Sequence, residues 1–141
     1  MKMLIAHGNG SIICLDATHN TCSGFRNDEK VWLYTLVVRS TLTGRGIQAA
    51  FMLTNGEHVH PIVYWLDALR RHPRLRLQPR HFMIDCSLTE LSAIKSAFAP
   101  PLTPSVLFCD WHMLKAMTAN SKRKVRGHDG DPPGAHRTAS N

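Results

Sequence analysis

Apolar residues in the first half of the chain come in short blocks, and each block has the length of a strand. The run Ile12-Ile13-Cys14-Leu15 ends at Asp16, and Ser11–Asp16 reads as a short buried strand. Thr18–Lys30 is polar and holds Gly24, Asn27 and Asp28, so a loop or wide hairpin is expected. "VWLYTLVVRS", Val31–Ser40, is β-branched and aromatic and predicts a second strand. "TLTGRG" is a turn, and Ile47–Thr54 is a third strand closed by Asn55-Gly56. Three strands joined this way predict an antiparallel meander.

The period then changes. His60–Arg71 spaces Ile62, Val63, Trp65, Leu66 and Leu69 as one helix face, with Pro61 in the first turn. "RHFMIDC", Arg80–Cys86, is a fourth strand. Ser87-Leu88-Thr89-Glu90 has the form of a capping box, and Leu88, Leu91, Ile94 and Phe98 follow along one face. "APPLTP" breaks the chain before a fifth strand at Ser105–Cys109, and a last helix runs from His112 to about Lys124. The order β-β-β-α-β-α-β-α predicts an α/β fold: a mixed five-stranded sheet, meander first and βαβ units after, with flanking helices. Residues 1–120 form one domain. Residues 121–141 end in "GHDGDPPGAHRTASN", which lacks core-forming side chains, and are expected to be a basic, disordered tail.

Composition narrows the function classes. The 141 residues suffice for one domain with a real core. No apolar run approaches the ~18 residues of a membrane span, and the run before His7 is too short for a secretion signal. Cys14, Cys22, Cys86 and Cys109 are therefore expected as free thiols or metal ligands rather than bridges. Net charge is +7, and the part from Ser121 onward carries five Lys/Arg against two Asp. That balance favours a polyanionic partner.

Two acids hold the candidate chemistry. Asp16 and Asp85 each close an apolar strand, and sites in sheets of this kind gather at strand ends. Two carboxylates brought together repel unless a cation lies between them, and oxygen ligands suit Mg²⁺ or Mn²⁺. Taken singly, an Asp after a strand is also a common turn or cap residue. Cys109-x-x-His112 supplies half of a zinc site, although a buried cysteine and a junction histidine give the same spacing. Arg70, Arg71, Arg74, Arg76 and Arg80 form a basic belt, and Lys122-Arg123-Lys124 a basic cluster in the tail. Both are candidate phosphate contacts, or simply solvated charge. Trp32, Trp65 and Trp111 read as core, and Glu57 as a carboxylate of a helix's first turn.

In order along the chain, "LDATHNT", "LTNGEHVHPIVYWLDAL", "FMIDCSLTELSAIKSAF" and "CDWHMLKAM" resemble the catalytic domain of Mutator-like (MULE) transposases. In that family a strand-end D-A/G-T carries the first acid. A strand followed by D and an A-I…F helix carries the second. A C-x-x-H follows, with a final Glu beyond. The resemblance covers Ile12 to Met117. It implies a ribonuclease H-like fold and DDE-type, two-metal DNA strand cleavage and joining, with Mg²⁺ or Mn²⁺ as cofactor and transposon-end DNA as partner. It maps the first acid to Asp16, the second to Asp85 and the C-x-x-H to Cys109 and His112.

The departure lies beyond Glu90, where the only acids are Asp110, Asp129 and Asp131. With the third acid missing, a truncated, decayed or domesticated domain that is inactive alone is expected. Its place is the nucleus if functional, otherwise the cytoplasm. The alternatives are a non-catalytic DNA-binding module and a zinc-stabilised structural fragment. A sheet without its last helix is also expected to leave one face uncovered.

Overall fold

The polar stretch after Asp16 extends the first strand instead of ending it. The computed structural model describes residues 2–23, 30–101 and 103–126, with backbone alone for 19–23 and 122–126. In it β1 spans Ile12–Ser23, β2 Lys30–Arg39 and β3 Gly46–Thr54. Thr18–Ser23 is thus strand and not loop, and Asp16 lies inside β1. The polar pattern hides this because β1 beyond Cys14 pairs on one side only: β2 continues alongside to Ser23, whereas β4 stops at Cys14. The β2–β3 turn follows the sequence reading, with Gly44 at φ +69° donating its N–H to the Ser40 carbonyl at 2.9 Å.

A short helix α1 (Lys2–His7), missed by the periodicity, precedes β1 and buries Leu4. Six residues are too few to show a helical repeat. Helix α2 spans Val59–Arg71, β4 His81–Ile84, α3 Leu88–Ala97 and β5 Ser105–Phe108. The sheet order is β3-β2-β1-β4-β5; β1, β2 and β3 are antiparallel neighbours, while β4 and β5 run parallel to β1. This is the α/β fold expected from the element order: a mixed five-stranded sheet, meander first and βαβ units after.

One sheet face is the core face. Alternation along β1 and β2 sends Ile13, Leu15, Tyr34, Leu36 and Val38 inward, where they meet Ile62 and Leu66 of α2 and Ala93 and Ile94 of α3. Phe82 of β4 stacks at a tilt on Phe98, ring centroids 5.3 Å apart. On the other face Leu33 and Met83 are half-buried, and Phe51, Leu53 and Leu107 are exposed. The buried positions of α3 are Glu90, Ala93, Ile94 and Ala97. This corrects the expected stripe, because Leu88 faces solvent and Glu90 takes a core position.

The chain divides into two compact units, Met1–Cys109 and Asp110–Asn141. In the second, α4 spans Asp110–Arg126. It continues through the start of the basic segment expected to be disordered; Lys and Arg are good helix formers and basic residues suit a helix C-terminus. Trp111, expected in the core, is exposed, with the Lys115 ammonium 4.9 Å from its ring centroid. Residues 127–141 lie outside the described residues. Among the described residues no helix is long and apolar enough to cross a membrane.

Candidate functional site

Strand register decides where the two acids stand. β1 and β4 pair in parallel as Ile12 with His81, Ile13 with Phe82 and Cys14 with Met83. Continuing that register two residues sets Asp16 opposite Asp85, just past the last paired residues, where the strands are free of each other. Asp16 is exposed and Asp85 half-buried. The sequence-predicted pair is therefore brought to one place, at the C-terminal end of β4.

Asp85 is fixed by the helix that follows. Its Oδ1 accepts the Ser87 N–H at 2.8 Å, and the Ser87 hydroxyl accepts the Glu90 N–H at 3.3 Å as the N-cap of α3. In a capping box the residue at Glu90 would return to the Ser87 N–H. Here Asp85 occupies that donor, and the Glu90 side chain turns into the core instead.

Glu90 is 1% exposed, and its Oε2 has no hydrogen-bond partner among the described residues. Burial, followed by the charges of Asp85, Asp16 and Glu57, pushes its pKa up to about 8. The Tyr34 hydroxyl, fully buried and also without a hydrogen-bond partner, is pushed up to about 12 by burial and then by Glu57, Glu90 and Asp85. The charges that act on Glu90, in the first turn of α3, thus come from β1, the turn before α2 and the end of β4. Sequence reading missed Glu90 because Ser-x-x-Glu is the pattern of an exposed cap. The signal available was Asp85 itself, two residues before Ser87 and able to take the same N–H.

The zinc expectation fares differently. Cys14, Cys86 and Cys109 are free thiols. Burial, then the charges of Cys109 and Asp16, pushes the Cys14 thiol up, which keeps it protonated and a poor metal ligand. Cys109 ends the first unit, its N–H donating to the Ile84 carbonyl at 2.8 Å, while His112 belongs to α4 of the second. Among the described residues no three His, Cys, Asp or Glu side chains assemble into a group able to hold a metal ion, so the zinc reading gains no support. Asp16 and Asp85 are likewise only two, and carboxylates completed by water are the ligand chemistry of a hard cation.

The basic belt sits elsewhere. Arg70 and Arg71 both bind Asp67, at 2.7 and 2.8 Å. Arg76, at φ +44°, has its carbonyl bound by the Asn9 amide at 3.4 Å, and the Arg80 N–H donates to the Ser11 carbonyl at 2.9 Å. The contacts of Arg76 and Arg80 lie where β1 and β4 begin, and Arg80 is roughly 16 Å along the chain from Asp85. The belt, including exposed Arg74, is therefore not brought to the acids. The side chains of Lys122, Arg123 and Lys124 lie outside the described residues.

No protein-family model matches the chain, and no curated protein does. Solved structures similar to it include the HTLV-2 integrase catalytic core domain in complex with magnesium, at 16% identity and a TM-score of 0.46, covering 88% of this chain and 77% of that one. Another is the simian T-cell lymphotropic virus intasome in complex with the PP2A regulatory subunit B56 gamma, at 15% identity and a TM-score of 0.44, covering 88% of this chain and 44% of that one.

Proposed function

We propose that the chain is a transposase-type domain of the Mutator-like kind, related to divalent-metal-dependent cleavage and joining of DNA strands at transposon ends. Asp16 and Asp85 are the residues that would hold Mg²⁺ or Mn²⁺. The observation that supports this reading is the parallel β1–β4 register, whose last pair, Cys14 with Met83, lies two residues before each acid. The bound ions would supply Lewis-acid activation of a phosphodiester and its attacking oxygen. Within the chain, Asp16 and Asp85 would hold the ions, and the Ser87 N–H, donating to Asp85 Oδ1, fixes that carboxylate.

Cation binding is the direct test. Mn²⁺ titrated into the protein should bind saturably, and Asp16→Asn or Asp85→Asn should weaken that binding at least ~10-fold. Binding unchanged in both variants would sink the assignment. A DNA-binding module without catalysis is the second reading, supported by the net charge of +7. It requires DNA affinity that falls steeply with salt and is indifferent to both Asp substitutions.

A further inference from the structure

Helix α2 and the end of α3 border a groove of about 680 Å³, the size of a small-molecule site. Val63, Ala97 and Pro100 give it apolar surface, and Tyr64, Arg70 and Arg71 give it polar groups. All six lie in the first unit, and those from α2 share one helix face over about two turns. Two arginines share one acid there. Arg70 donates from its Nε and a terminal nitrogen to Asp67 Oδ1, at 3.2 and 2.7 Å. Arg71 donates only from its Nε, 3.0 Å from Oδ1 and 2.8 Å from Oδ2. Both terminal nitrogens of Arg71 therefore carry no hydrogen bond among the described residues. An exposed ion pair contributes little to stability and needs one arginine, not two. The second arginine leaves the cluster one positive charge in excess. Asp67 also restrains both guanidiniums, which lowers the entropy cost of taking a further ligand.

The open edge of Arg71 fits an oxyanion, because paired guanidinium nitrogens match two oxygens of a phosphate or a carboxylate. The Arg71 side chain is 72% exposed. Tyr64 is 81% exposed and offers an aromatic surface beside the same groove. The two residues are seven apart on α2, about 10 Å along the helix. That separation suits a ring and an anion joined by a short spacer rather than a bare ion. We propose that the groove is a nucleotide site: the terminal nitrogens of Arg71 take the phosphate, Arg70 adds its charge, and the Tyr64 ring stacks on the base. The phosphate belongs to a free nucleoside 5′-phosphate or to the 5′ end of a single strand, which present the same group. The Asp67 charge is outweighed two to one and does not exclude it. No metal ion takes part, so the site stands or falls independently of Asp16 and Asp85.

Calorimetric titration of the full chain with 5′-AMP, in the presence of a chelator, tests this. Wild type should bind AMP saturably, and adenosine and inorganic phosphate should each bind at least ~10-fold more weakly. That comparison needs no variant. Arg71→Gln should weaken AMP binding at least ~10-fold and leave adenosine unchanged. Tyr64→Ala should weaken AMP and adenosine by one common factor, about 5-fold or more. Both positions are exposed, so both variants should melt as wild type does. A 5′-phosphorylated oligothymidylate that displaces AMP, and fails to once dephosphorylated, assigns the phosphate to a strand end. AMP that the oligonucleotide cannot displace assigns it to a free nucleotide. AMP affinity untouched by Arg71→Gln and Tyr64→Ala overturns the proposal. So does inorganic phosphate or a polyglutamate peptide binding as tightly as AMP, or a wild type that binds no AMP.

Discussion

At pH 7 the Glu90 carboxyl mostly keeps its proton, because ionising it would place a charge in the core beside three other acids. The consequence for stability has a definite sign. An ordinary Glu in the unfolded chain releases its proton near pH 4.5, and the folded protein does so near 8. Between those values the folded state binds more protons. The stabilisation is therefore complete below about pH 4.5 and is lost as pH rises through about 8. In the presence of a chelator, Glu90→Gln should remove this dependence and exceed wild type by roughly 1–3 kcal/mol at pH 8.5. Urea unfolding of both proteins at pH 5 and pH 8.5 checks it; parallel curves would show that Glu90 ionises freely. At this scale the sequence disclosed the two acids that close apolar runs and concealed the third carboxyl. A buried Glu and a capping Glu share one pattern, and only the Asp85–Ser87 hydrogen bond separates them.

Among the elements, β4 and α3 set the position of Asp85, and one aromatic contact joins them. Phe82 is fully buried against Phe98. Phe82→Ala should destabilise the protein by about 3–5 kcal/mol in chemical denaturation. A loss under 1 kcal/mol would mean that the site rests on other contacts. The strands and helices marked in the sequence by an apolar run or a helical period, β2, β3, α2, β4 and β5, were legible within a residue or two. The missed pieces share a cause: neither α1 nor the outer half of β1 announces itself through a repeating apolar stripe. The β1 extension is held by pairing with β2, which no pattern within one strand can reveal. The stripe expected on α3 was displaced because Leu88 is left in solvent while Glu90 and Ala93 pack inward.

On the scale of the whole molecule, the topology was readable because meander and βαβ units leave few arrangements for five strands. The expected bare face has its counterpart in the exposed Phe51, Leu53 and Leu107. The sheet order adds a further consequence. β3 is the terminal strand, nine residues long, and its sequence "GIQAAFMLT" carries no charge and no proline. Phe51 is 54% exposed and Leu53 64%. Lysines, prolines and short length are the usual protections of such a border, and apart from the irregularity opposite Leu36 and Val37 this strand has none of them. The protein should therefore self-associate into β-rich aggregates as concentration rises, and Phe51→Lys should raise its solubility several-fold. Light scattering across a concentration series would decide the point, with equal scattering by both proteins counting against it. The strand that completes the meander is then also the part of the molecule that sets how concentrated it can be and remain a monomer.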